Sequence, residues 1–79
     1  MQAAVDFLKY IVENLVVHTG DIVIESKEDE LGVLLTLRVH KEDMGVVIGK
    51  GGNTINALRS LLRILGMKLD KRINLKVED

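Results

Sequence analysis

The sequence predicts an α+β fold of one small domain, with elements in the order α-β-β-α-α-β, and three observations predict it. Apolar residues near the amino end recur at helical spacing. Val33, Leu35, Leu37 and Val39 alternate with Leu34, Thr36 and Arg38, and Ile73, Leu75 and Val77 alternate with Arg72, Asn74 and Lys76. Between these two alternating runs, four of the seven glycines fall in the short span from Gly45 to Gly52. A period near 3.6 marks a helix with one buried side, and a period of 2 marks a strand.

Taken in order, Ala4, Phe7, Leu8, Ile11, Val12 and Leu15 predict an amphipathic helix over residues 2–16, which Gly20 interrupts. Residues 21–25 read as a short strand and Lys27-Glu28-Asp29-Glu30 as a charged turn. The 33–39 run is the clearest strand, and so short a connection makes the two strands an antiparallel hairpin. Glu42 and Asp43 suit a helix amino end, where the dipole favours negative charge, and Met44, Val47 and Ile48 supply a short helix with its buried side. After the glycines, Asn53 or Thr54 caps a further helix running to about Leu65, with Gly66 as its stop. Its Ile55, Leu58, Leu62 and Leu65 share one face and enter the core. The strand at 72–77 follows the second strand through two helices, so those two lie parallel if adjacent. No repeat, linker or low-complexity stretch divides the chain.

Seventy-nine residues make one domain with one modest core, and 47% hydrophobic residues are enough to form it. The absence of cysteine excludes a disulfide framework, a thiol nucleophile and a zinc–cysteine cluster. The amino terminus lacks the features of a signal peptide and no apolar run is of membrane-spanning length, so a cytoplasmic protein is expected. A net charge of −1 argues against capture of nucleic acid by bulk attraction, but the charge is unevenly spread. Residues 1–43 hold four basic and nine acidic side chains, whereas residues 44–77 hold seven basic ones against Asp70 alone. One half faces phosphates, or both are ordinary solvated faces.

The stretch Val46-Val47-Ile48-Gly49-Lys50-Gly51-Gly52-Asn53-Thr54-Ile55 carries the chemistry. Glycine permits positive φ and lets a ligand press against the backbone. The first N–H groups of the following helix are unpaired and partly positive, a setting for an anion, and Lys50 adds a full charge at the tip. These glycines make either a phosphate-gripping turn or merely a sharp helix–helix corner. Lys50 is followed by Gly51 rather than Ser or Thr, so the magnesium-binding hydroxyl of a nucleotide-hydrolysing phosphate loop is missing, and Gly-x-Gly-x-x-Gly is absent. The Gly-x-x-Gly at 49–52, with Ile48 before it and Ile55 after it, resembles the turn of the KH domain, which clamps the backbone of four nucleotides.

In its whole order of elements the chain resembles a type II KH domain, a three-stranded mixed sheet carrying three helices on one face. In length it is similar to the small stand-alone KH proteins of bacteria, the KhpA type. The resemblance implies single-stranded RNA in a groove beside the turn. Gly49, Lys50, Gly51 and Gly52 hold phosphates, Asn53 follows them in the RNA-binding set, Ile48 floors the groove, Asn56 and Arg59 lie on the next helix, and the strand at Ile73 and Asn74 forms the opposite wall. It further implies an RNA chaperone or post-transcriptional regulator that pairs with itself or with a second KH protein of the KhpB type and bears on cell-wall synthesis and cell shape. It implies no cofactor, metal or small-molecule substrate.

Asn53 departs from the pattern, standing where many relatives carry a basic residue. Arg59 and Arg63 attract the RNA backbone or are plain surface arginines. Ala57, Leu61 and Ile64 form a second apolar stripe that either completes the core under the first helix or is a dimer interface. His18 and His40 read as separate histidines flanking strand ends, and no acid–base constellation suggests an enzyme. A dimerisation adaptor with a degenerate nucleic-acid site, and a binder of single-stranded DNA, are the alternative functions. The lone Tyr10 and Phe7 stand away from the turn, so bases do not stack on aromatic rings. RNA affinity is therefore expected to be low micromolar or weaker, with little sequence preference, and to fall as salt rises. A nanomolar affinity indifferent to salt contradicts this expectation.

Overall fold

The computed structural model describes residues 1–78 of the chain. Helix α1 (Gln2–Glu13) leads through a single 3-10 turn at Thr19–Asp21 into β1 (Val23–Asp29) and β2 (Gly32–Arg38). Helix α2 (Met44–Ile48), the glycine turn, α3 (Asn53–Leu69) and β3 (Ile73–Glu78) follow. The sheet order is β1-β2-β3, with β1 antiparallel and β3 parallel to the central β2. The expected α+β architecture, the hairpin and the parallel third strand are all present.

One face of the sheet carries the core. Val33, Leu35 and Leu37 of β2 and Ile73 and Leu75 of β3 pack with Ala4, Leu8 and Val12 of α1 and with Ile55, Leu58 and Leu62 of α3. Val47 anchors α2 to the same cluster. The other face is open, and there Arg38 lies between Glu25, at 2.9 Å, and Glu78, at 3.7 Å.

Several boundaries differ from the sequence reading, each for a local reason. Helix α1 ends at Glu13, where the Asn14 amide donates to the Tyr10 carbonyl at 2.7 Å, leaving Leu15 outside the helix and half exposed while Val16 enters the core. Strand β1 begins at Val23, and Lys27–Asp29 belong to it rather than to a turn. The turn itself is Glu30 and Leu31, held by the Asp29 carboxylate, which accepts the N–H groups of Leu31 at 2.8 Å and Gly32 at 3.1 Å. Neither Asn53 nor Thr54 caps α3, because the cap position is Gly52 in a left-handed conformation. Nor does Gly66 stop that helix. It is buried within α3, where a side chain would strike the Lys71 carbonyl, and the helix ends at Asp70 with φ 57°. The Lys71 N–H then donates back to the Gly66 carbonyl at 2.8 Å, which closes the helix and turns the chain into β3.

His18 and His40 are not separate. Their rings stack with centroids 3.9 Å apart, His18 Nε2 lies 3.0 Å from Glu42 Oε1, and His40 Nδ1 accepts the Glu42 N–H at 3.0 Å. Beneath them the buried Asp43 accepts the Val17 and His18 N–H groups at 3.0 and 2.9 Å, tying the end of α1 to the start of α2. The Val17 bond chiefly, with help from the His18 N–H and the two imidazoles and against the cost of burial, holds the Asp43 carboxyl below the usual aspartate range.

A carboxyl whose pKa is depressed by folding adds stability that is complete above its unfolded value of about 3.9 and is lost as pH falls through the folded value. Urea unfolding followed from about pH 5 to about pH 2 should therefore show stability falling with acid. Asp43→Asn should be less stable at neutral pH and fall less steeply. Its remaining slope would come from groups such as Glu28, whose carboxyl is lowered by the hydrogen bond and charge of Lys71.

Candidate nucleic-acid interface

The corner between α2 and α3 is built from backbone that side chains resist. Gly49, Gly51 and Gly52 have φ of 78°, 63° and 82°. At Gly49 a Cβ would lie 2.6 Å from the Thr54 nitrogen, so the second helix sits too close for any other residue. At Gly51 no atom of the described residues, its chain neighbours aside, stands within 4 Å of where a Cβ would be, so the tip is open on the outside. The Gly49 carbonyl accepts the Gly52 N–H at 3.1 Å, which closes the turn. No side chain among the described residues caps α3, so its first N–H groups keep their partial positive charge. Lys50 is exposed at the tip.

Five of the seven basic side chains between residues 44 and 77, namely Lys50, Arg59, Arg63, Lys68 and Arg72, make no ion pair among the described residues, whereas Lys71 pairs with Glu28 and Lys76 with Glu78. Asn56, Arg59 and Arg63 succeed one another along one side of α3, so the polar row starts one turn beyond the glycine corner. At about 1.5 Å per residue, Gly52 to Arg63 spans roughly 16 Å.

Beside that row lies a groove of about 670 Å³. Arg59, Arg63 and Met67 form its helical wall, Lys71 and Arg72 its end, and Ile73, Asn74 and Leu75 the wall of β3. The structure thus brings together three of the residues expected from the sequence, Arg59, Ile73 and Asn74. Ile48, Gly49, Lys50, Gly51, Gly52, Asn53 and Asn56 do not line this groove. They form the corner upstream of it and the first turn of α3, with Ile48 half-buried against the core and Asn56 in contact with Arg59 at 3.5 Å. Arg72, Lys71 and Met67 line the groove without having been singled out as site residues. The basic excess after residue 44 pointed to the first two, but only the position of the α3–β3 connection brings them to the groove.

The edge of β3 differs from the expectation in one respect. The Arg72 carbonyl accepts the Val33 N–H of β2 at 2.7 Å, and backbone groups alternate sides along a strand, so Asn74 also turns its backbone to β2. Ile73, Leu75 and Val77 present theirs outward. The side chain of Asn74, between the buried Ile73 and Leu75, falls on the open face of the sheet, where it lines a smaller hollow of about 320 Å³ with Arg72 and the hairpin turn. Ala57, Leu61 and Ile64 do not complete the core under α1. All three are exposed, Leu61 by 41% and Ile64 by 59%, and Met67 extends the apolar stripe.

A three-stranded mixed sheet with helices on one face and a Gly-x-x-Gly corner between the second and third helices defines a KH domain of type II. The chain belongs to the KhpA/KhpB KH-domain family, whose model it matches over residues 5–77. It is 45% identical over 67 residues to the RNA-binding protein KhpA of Listeria monocytogenes, covering 85% of this chain and 88% of that one. It is 36% identical over 74 residues to the RNA-binding protein KhpA of Bacillus subtilis, covering 94% and 91%. The protein of the same name from Borreliella burgdorferi is 31% identical over 75 residues, covering 95% and 92%.

The two glycines carry different burdens, and unfolding experiments will separate them. Gly49→Ala should cost about 2–3 kcal/mol, since it combines a left-handed backbone with a collision at Thr54. Gly51→Ala meets open space and should cost about 1 kcal/mol.

Proposed function

We propose that the chain is a single-stranded RNA-binding protein whose glycine corner holds phosphates and whose groove between α3 and β3 receives unstacked bases. The observation that carries this reading is the open corner itself. Lys50 stands exposed and unpaired among the described residues, Gly51 has free space around it, and the uncapped start of α3 lies directly behind. Backbone N–H groups, a helix dipole and one ammonium together favour a phosphate oxygen. Gly49, Lys50, Gly51, Gly52 and Asn53 would take the backbone of the strand, Ile48 and Asn56 would flank it, and Arg59, Ile73 and Asn74 would meet the bases. The names of the similar proteins support RNA as the ligand.

The protein is read as a binding module and not an enzyme, acting in the cytoplasm without a cofactor as an RNA chaperone or post-transcriptional regulator. One corner neutralises only a few phosphates, so two linked sites would gain affinity through effective concentration. The exposed stripe of Ala57, Leu61, Ile64 and Met67 supports a dimer, either of this chain with itself or with a KH protein of the KhpB type. The likeness to the family supports a link to cell-wall synthesis and cell shape.

The test is the double substitution Gly51→Asp and Gly52→Asp. Both positions are left-handed, a conformation aspartate tolerates better than most residues, and both lie where a helix start favours negative charge. The fold and any dimer should survive, while affinity for single-stranded RNA oligomers should fall by about tenfold or more, as two carboxylates face the phosphates. Unchanged RNA binding would reject this site. A dimer that binds no RNA even with its native corner would favour the adaptor reading, and equal affinity for single-stranded DNA would remove the role of the 2′-hydroxyl.

A further inference from the structure

The likeness to the family implies no metal, and nothing in the sequence brings His18 to His40. The fold does so by anchoring both backbones. Val16 lies two positions before His18 and Val39 one before His40, and both valines are buried. The Asp43 carboxylate accepts the His18 N–H at 2.9 Å, which pins the α1–β1 connection beside the start of α2. Asp21, in the 3-10 turn that follows His18, completes a group of three. One ligating atom from each of His18, Asp21 and His40 lies within 4.8 Å of the other two.

The hydrogen bonds among the described residues decide which nitrogens stay free. His18 Nε2 lies 3.0 Å from the carboxylate oxygen Glu42 Oε1, so Nε2 carries the proton and Nδ1 the lone pair. His40 Nδ1 accepts the Glu42 N–H at 3.0 Å, so the proton of that ring is on Nε2. Moving this proton to Nδ1 frees Nε2 and aims the new N–H at Glu42 Oε1, 3.7 Å away. Both rings are then backed by one carboxylate, each with its second nitrogen available. A histidine that donates one N–H to a carboxylate and offers its other nitrogen is the usual metal-ligating arrangement.

We propose that His18 Nδ1, His40 Nε2 and the Asp21 carboxylate form a site for a divalent transition-metal ion, for which zinc is the probe. Two imidazoles and a carboxylate suit zinc and its neighbours, with water in the remaining position, whereas magnesium takes oxygen ligands in an octahedron. The local charge fits too, because Asp21, Glu42 and Asp43 set three carboxylates around the two rings. The rings stack with centroids 3.9 Å apart and planes 20° apart, so their lone pairs do not yet converge. The His18 ring is held only by the exposed Glu42 side chain among the described residues, and it turns about its side-chain bonds to close the site. Closure brings the donors to the spacing of ~3.3 Å found around tetrahedral zinc. The ion thus joins the α1–β1 connection to the β2–α2 connection. None of its ligands lines the groove, so the site stands apart from the RNA reading.

The experiment follows thermal unfolding of untagged protein in zinc chloride and in EDTA, each variant being compared with itself. Saturating zinc should raise the wild-type midpoint by about 5 °C or more. The gain should vanish in His18→Ala, which keeps the backbone bond to Asp43, and in His40→Gln. Glu42→Gln removes the charge behind both rings and should weaken zinc about tenfold. Magnesium should give no gain. Long-range 1H–15N spectra should place zinc on His18 Nδ1 and His40 Nε2 and show the His40 proton moving to Nδ1. No gain in wild-type protein, an undiminished gain in His18→Ala, or an equal gain with magnesium overturns the assignment. Imidazole spectra that zinc leaves unchanged, or changes at the opposite nitrogens, overturn it as well.

Discussion

Two left-handed residues in succession, Gly51 and Gly52, decide where α3 begins and in which direction it runs. Because Gly49 packs its bare backbone against Thr54, the two helices meet across a tight turn at 49–52, and the corner projects as a tip. The direction of α3 sets everything downstream. It drives Ile55, Leu58 and Leu62 into the sheet and aligns Asn56, Arg59 and Arg63 along the flank that looks towards β3. At its far end the missing side chain of Gly66 allows the returning chain to pass at contact distance, which brings β3 alongside β2 and forms the groove between helix and strand. Glycines at both ends of one helix thus shape the candidate site, one set by conformation and the other by proximity.

Charge is distributed to match. The acidic first half contributes Glu28, which engages Lys71 at the end of the groove, and Glu25, which engages Arg38 on the open face of the sheet. The arginines nearest the groove make no ion pair among the described residues, although Arg59 donates to the Leu75 carbonyl and to Asn56. A protein of net charge −1 can present a basic track in this way, because potential near a surface depends on the few charges that remain uncompensated within a Debye length, about 10 Å at moderate salt.

Much of this was legible in the residues. The alternation at 33–39 identified the central strand because one of its faces is buried, and the glycine cluster identified the corner because no other residue type adopts three positive φ values so cheaply. Elements governed by tertiary contact were less legible. Gly66 reads as a helix stop in isolation, yet a buried glycine in close contact with a carbonyl has the same composition signal. Lys27, Glu28 and Asp29 look like a loop, but strand pairing needs only their backbone, and an edge strand tolerates charge on its outward side chains. His18 and His40 are far apart in sequence, and their stacking follows from Asp43 capturing the backbone just before β1. The outward orientation of Ala57, Leu61 and Ile64 depends on α1 covering a different face of α3. The groove itself depends on where the α3–β3 connection passes, which no local pattern encodes.

The Arg59 contact with Leu75 also bears on how one molecule meets another. A strand with unpaired outward amides is a template on which another chain can build, the first step towards fibrous association. The guanidinium interrupts that template at its midpoint and places a hydrated cation where a second backbone would have to lie. A side chain that closes one contact inside the fold thus also keeps the molecule from recruiting its neighbours, and colloidal stability depends on a single residue of the groove wall.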